Sequence, residues 1–307
     1  MANKELDVFR ELKKRSAMFL MKERIGLIGA GNMGRALLSG FRNVDLLAQC
    51  RVVEANPSVR SKISRRFGVA WATVGEIARR CSIVILAVKP HDLWPVVAQL
   101  REQLPRALAR RPLVISIAAG VRLRELESAL GPCPVVRVMP NLAAKLGKAM
   151  SVIARGRYAR GEHVSCARGI FSCVGIVEQL PERLFDTVTA ISGSGPAYFF
   201  AMIRALREAG VRQGLDRVTS DRLVLQTAVG SVHLAQHLIN QRGLKNRHPT
   251  LDELIAQVAS KGGTTEAALK VFAKRRLSKI LDEGVVAAAR RSRQLASSLK
   301  APKRRSR

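Results

Sequence analysis

The sequence predicts an α/β chain in which a doubly wound parallel sheet is followed by an all-α C-terminal domain. Three observations predict it. From residue 24 to about 180, short apolar runs alternate with amphipathic stretches, as in successive βαβ units. A glycine turn, Gly29-Ala30-Gly31-Asn32-Met33-Gly34, directly follows the first apolar run and opens a helix. Beyond Pro181 the pattern changes to long helical runs without strand signals.

Taken in order, Ile25-Gly26-Leu27-Ile28 reads as a short buried strand within 24–29, and a helix begins at 35–40. In a GxGxxG turn the first glycine makes the tight bend. The second clears space for a pyrophosphate, and the third lets helix and strand pack closely. A GxGxxG alone is weak evidence, but here it is flanked correctly on both sides. The next strand, 50–54, ends at Glu54, twenty residues after Gly34, where an acid can accept hydrogen bonds from ribose hydroxyls. These features predict a Rossmann-type NAD(P)-binding domain over 22–181. Further strands are expected at 82–88, 113–118, 135–139, 151–154 and 175–179, with amphipathic helices such as 59–67 and 123–130 between them.

Ligands gather at the carboxyl ends of strands in open α/β sheets, so the segments ending the later strands are candidates. Ala87, Val88, Lys89 and Pro90 close one strand. Two roles compete for Lys89: contact with a cofactor phosphate, or an ordinary solvent-facing lysine. Ser116-Ile117-Ala118-Ala119-Gly120 ends the following strand, and small residues such as Ala118 leave room for a flat ring. Asn141 ends the next; turn formation competes there with a polar contact to cofactor or substrate.

Helices are expected at 196–210, 217–241, 250–259, 264–272 and 278–297. Thr250 with Glu253 matches a capping box. Alanine- and leucine-rich helices of this length expose apolar stripes that a small domain cannot cover alone, so 182–297 is expected to pair with a second copy, as a homodimer or larger homo-oligomer. Two segments in this half place glycines and hydroxyls before a helix: 188–198, containing Ser192-Gly193-Ser194-Gly195-Pro196, and Ser260-Lys261-Gly262-Gly263-Thr264-Thr265. Free amides at a helix start favour an anion. Two such devices downstream of a dinucleotide turn suggest a small anionic substrate beside a cofactor.

The chain has 307 residues, 47% hydrophobic and 25% charged, which is globular and long enough for two domains. No apolar run approaches the ~20 residues of a bilayer span, and the mixed-charge N-terminal segment lacks a signal core, so no membrane association and a cytoplasmic location are expected. Five scattered cysteines without a CxxC read as reduced thiols. His233 and His237 stand four apart but lack the HExxH glutamate and a third ligand, so no metal is expected. The net charge is +30, and residues 290–307 carry eight Lys or Arg and no acid, which reads as a solvated basic arm, with 298–307 a flexible tail. That charge attracts polyanions nonspecifically, but no nucleic-acid recognition motif accompanies it.

With these segments in place, the chain resembles the pyrroline-5-carboxylate reductase family over roughly residues 24 to 297. The resemblance is carried by 28–34, 84–90, 114–120, 135–141, 189–198, Gln226-Thr227 and 260–265. The resemblance implies NADPH- or NADH-dependent reduction of Δ1-pyrroline-5-carboxylate to L-proline, the last step of proline biosynthesis. It also implies a Rossmann domain joined to a helical dimerisation domain. On the matching positions, Gly29, Gly31, Asn32, Met33, Gly34, Glu54, Asn56, Ala87, Val88, Lys89, Pro90, Ala118 and Asn141 are expected at the cofactor. Ser260, Gly263, Thr264 and Thr265 are expected to hold the substrate carboxylate, with the Thr265 hydroxyl on the ring nitrogen as the catalytic contact.

Three positions depart from the family pattern. Leu142 replaces a usual threonine, Lys261 a usual proline, and Ala55 an arginine that often grips a ribose 2′-phosphate. Glu54 with Ala55 favours NADH, whereas Asn56, Arg60 and Lys62 leave NADPH open. The competing readings are a related Rossmann imine reductase or β-hydroxyacid dehydrogenase, and a polyanion-binding protein on a reductase fold. The hydroxyacid enzymes need a helix-borne catalytic lysine, and no matching motif is found.

Overall fold

The structure, a computed structural model, describes residues 18–107, 111–240 and 250–299. The predicted N-terminal extension before Met18, the expected helix end at residue 241 and the basic tail from residue 300 lie outside them.

The chain divides into two units, residues 1–194 with 287–307, and residues 195–286. In the first, an eight-stranded sheet has the order β3-β2-β1-β4-β5-β6-β7-β8. Its strands are β1 (Ile25–Ile28), β2 (Cys50–Val53), β3 (Ala70–Trp71), β4 (Ile83–Leu86), β5 (Leu113–Ser116), β6 (Val135–Met139), β7 (Ala149–Arg155) and β8 (Gly175–Gln179). β1 to β6 run parallel; β7 is antiparallel to β6, and β8 is parallel to β7. This is the doubly wound order, with the strand sequence reversing between β1 and β4. Every residue of β1, β4 and β5 is buried, which is why these strands read as continuous apolar runs rather than alternating ones.

Helices cover both faces. Helices α1 (Asn32–Arg42), α2 (Pro57–Phe67) and α6 (Gly161–Ser172) pack Leu37, Phe41, Ile63 and Phe171 onto one face. Helices α3 (Val74–Arg80), α4 (Leu93–Gln103) and α5 (Leu123–Leu130) pack Ile77, Leu100 and Leu126 onto the other. Thr73 and Glu76 form a full capping box that starts α3. Buried Arg137 leaves β6 to donate to Glu182 at 2.9 Å, with its guanidinium 4.8 Å from the Phe185 ring centroid. Helix α7 (Phe185–Val188) leads into a π-helical turn, Thr189–Gly193.

The second unit contains α8 (Gly195–Arg212), α9 (Arg217–Asn240), α10 (Leu251–Val258), α11 (Thr264–Lys274) and the first half of α12 (Leu277–Ser298). The Thr250–Glu253 capping box starts α10 as expected. Ser220 Oγ donates to the Arg207 carbonyl at 2.8 Å, and a Cβ on Gly210 would lie 2.6 Å from Ser220 Oγ, so α8 and α9 touch through small residues. Among the described residues of this unit, only Gly195 and Ser220 are buried; none of its large apolar side chains is. No helix among the described residues is long and apolar enough to cross a membrane.

Over residues 290–299 the expected solvated, flexible arm is corrected by the structure. Residues 290–298 continue α12, which packs Ala289, Ser292 and Ala296 into the first unit. Ser292 Oγ donates to Asp186 Oδ1 at 2.6 Å, and Trp94 Nε1 donates to the Leu299 carbonyl at 3.0 Å. Small residues spaced along one helix face, not the net charge, decide where this segment lies.

Candidate active site

The glycine turn bends directly after β1. Gly29 has φ +98°, and a Cβ there would stand 2.7 Å from the Ala87 carbonyl carbon. Only glycine fits that bend. A Cβ on Gly34 would strike the Gly29 carbonyl oxygen, so the third glycine brings helix and turn together. A Cβ on Gly31 would meet nothing within 4 Å. The second glycine therefore borders open space at the start of α1, whose first amides have no intrahelical acceptor. That cradle is what a dinucleotide pyrophosphate requires, and it lies where the strand order reverses.

The other residues expected at the cofactor lie at the carboxyl ends of neighbouring strands. Glu54, after β2, turns back: its Oε2 accepts from the Ala30 amide at 2.8 Å and its Oε1 from the Asn56 amide at 2.9 Å. Asn56 caps α2, its Oδ1 accepting from Ser58 and Val59 amides. Asn32, exposed at the first position of α1, accepts from Arg35 Nη2 at 2.8 Å. Met33 packs its side chain on the core. Ala87 and Val88 follow β4 half-buried; Lys89 is exposed, and Pro90 opens a short 3-10 turn, Pro90–Asp92. Ala118 is buried in the core behind the end of β5, so its methyl lines no open surface.

Asn141, after β6, is spent inside the protein. Its Nδ2 donates to the Ser192 carbonyl at 3.2 Å and to Ser192 Oγ at 3.4 Å, and its Oδ1 accepts from the Met150 amide at 3.4 Å. These bonds dock the π-helical turn onto the end of β6. The turn itself is closed by Ser194 N–H donating to the Thr189 carbonyl at 2.8 Å and by Thr189 Oγ1 donating to the Phe185 carbonyl at 2.7 Å. The first glycine–hydroxyl segment is thus a wide helical turn continuous with its neighbours, a device frequent at functional sites.

In the second unit, Ser260-Lys261-Gly262-Gly263 forms a loop ending at the start of α11. Gly262 has φ +75°, and Gly263 is the N-cap, where a Cβ would press on the Ser260 side-chain oxygen. The amides of Thr264, Thr265 and Glu266 have no intrahelical acceptor. Thr265 is half-buried, and Lys261 is exposed. Glu266 accepts from the Gly262 amide at 2.5 Å and pairs with Lys270 at 3.0 Å. The Gly262 amide first, and then Lys270, hold its carboxyl below the ordinary value. The loop therefore has a carboxylate bracing its underside and amides free at its tip.

Burial pushes the Cys50 and Cys133 thiols up to about 12, and no group of three or more metal-ligating side chains occurs among the described residues.

Comparison with known proteins agrees with this arrangement. Residues 182–295 match the family model for pyrroline-5-carboxylate reductase dimerisation, and residues 24–120 match that for NADP oxidoreductase, coenzyme F420-dependent. The chain is 36% identical to pyrroline-5-carboxylate reductase of Mycobacterium leprae over 89% of its own length and 96% of the relative's. With that of Arabidopsis thaliana it shares 35%, over 90% and 96%. Among solved structures, the pyrroline-5-carboxylate reductase of Coxiella burnetii has a TM-score of 0.80 at 29% identity, covering 89% of this chain and 98% of that one. The Plasmodium falciparum pyrroline carboxylate reductase with NADP bound has a TM-score of 0.76 at 28% identity, covering 90% and 98%. On this sequence and fold evidence, the chain belongs to the pyrroline-5-carboxylate reductase family.

Proposed function

We propose that the protein reduces Δ1-pyrroline-5-carboxylate to L-proline with NADPH or NADH, as a homo-oligomer in the cytoplasm. The observation that carries the reading is the glycine cradle, in which the first and third positions exclude a side chain and the second opens on space. Family membership supplies the substrate class. A reduced nicotinamide dinucleotide supplies the hydride for the imine carbon. The chain would hold it through the α1 amides, with Asn32, Asn56, Lys89 and the backbone of Ala87, Val88 and Pro90 along the strand ends.

Ser260 and the amides of Gly263, Thr264 and Thr265 are assigned to the substrate carboxylate. The Thr265 hydroxyl is assigned to the ring nitrogen. No side-chain general acid is required, because an imine that arrives protonated already accepts hydride, and the protein's task is to orient two reactants. Five cysteines outside any disulfide, four of them buried, fit a reducing compartment. Among the described residues of the helical unit no large apolar side chain is buried, which supports assembly through that unit, with a homodimer the simplest form.

The test is nucleotide oxidation by the purified protein given pyrroline-5-carboxylate. Turnover with at least one nucleotide is expected, and none with either would reject the reading. Thr265→Ala should lower the rate by about one to two decades, the worth of one well-placed hydrogen bond, while nucleotide affinity stays nearly constant. An unchanged rate would remove Thr265 from its role.

A further inference from the structure

An acid at the end of the second strand of a dinucleotide fold is ordinarily taken to read the ribose, and so to repel a 2′-phosphate. In this chain the Glu54 carboxylate has another commitment. One oxygen accepts from Ala30 at 2.8 Å and the other from Asn56 at 2.9 Å, so a single carboxylate bridges the glycine turn and the start of α2. Ala30 is fully buried, and a buried amide without an acceptor is costly, so Glu54 satisfies a donor that the turn cannot leave unpaired. Bonds to an ionised acceptor are also the stronger ones. The charge faces two amide dipoles, and α2 has no acid in its first turn while Arg60 and Lys62 lie on the same helix.

We propose that Glu54 is a positioning residue that holds the glycine turn in its pyrophosphate-binding shape, and that it does not select between NADH and NADPH. Its loss then acts on the part of the site that the two nucleotides share. A ribose-reading acid behaves otherwise, because its removal costs NADH a partner and relieves NADPH of a repulsion.

The inference rests on the 29–34 turn being a dinucleotide site, and the experiment separates the two claims. Dissociation constants for NADH and NADPH are measured by nicotinamide fluorescence on the intact protein, without substrate, for the parent, Glu54→Gln and Glu54→Ala. Failure of the parent to bind either nucleotide would reject the dinucleotide site itself. If the parent binds, Glu54→Gln should weaken both nucleotides by about tenfold and Glu54→Ala by more, since Gln keeps one acceptor. The ratio of the two constants should stay within about fivefold of the parent's. A ratio moved further toward NADPH, or unchanged affinity for both, would overturn the proposal. Thermal unfolding of each variant is followed alongside, and if Glu54→Ala does not fold, Glu54→Gln alone decides.

Discussion

A methyl group at Gly31 would project into open space, whereas one at Gly34 would collide with a carbonyl oxygen of the same turn. The two alanine variants should therefore part company. Gly31→Ala should melt like the parent but bind nucleotide at least about tenfold more weakly, because the methyl enters the pyrophosphate cradle. Gly34→Ala should lose about 1–3 kcal/mol of stability through overpacking. Melting curves and a nucleotide titration check both. His163 offers a pH signature in the same unit. Its Nδ1 accepts from the Arg160 amide at 2.8 Å, which requires the neutral ring, and burial lowers its pKa from the ordinary 6.5. Below pH 6.5 the unfolded chain takes up protons that the folded ring refuses. Stability should fall as pH drops from 6.5 to the folded value and then level off. Urea midpoints across that range should show this slope in the parent and lose it in His163→Gln.

At the scale of elements, the sheet was legible because its central strands are buried on both faces and so advertise themselves as unbroken apolar runs. β3 was not, since two residues, Ala70 and Trp71, carry no periodicity. The capping box of Thr73 and Glu76 is a local sequence signal for α3. The candidate site divides likewise. The bend at Gly29 and the close packing at Gly34 follow from local backbone geometry and could be read ahead of the fold. The docking of Asn141 on Ser192, and of Trp94 on Leu299 across 205 residues, depends on tertiary neighbours that no spacing rule reveals. The end of α12 is the clearest example, since its basic composition suggested an arm while Ser292 and Ala296 bury it. Ser292→Ala removes the partner of Asp186 in a buried setting and should cost about 1–3 kcal/mol, readable as a lower urea midpoint.

Across the whole molecule, the two units differ in how they are held together. The sheet unit encloses two cores of its own. The helical unit leaves Phe199 58% and Phe200 60% exposed, with Leu223, Val258, Phe272 and Ile280 also uncovered, and none of the large apolar side chains among its described residues is buried. Exposed apolar area on that scale marks an interface. Replacing Phe199 and Phe200 together by Asp should shift the protein to monomers in sedimentation and lower its melting temperature. An unchanged oligomer would place the contact elsewhere. A unit that pairs through exposed apolar helices ties conformation to abundance, because every twofold dilution favours separated chains in which that surface stays uncovered. The cell's supply of this polypeptide would then govern how much of it exists in a finished state, before any substrate arrives.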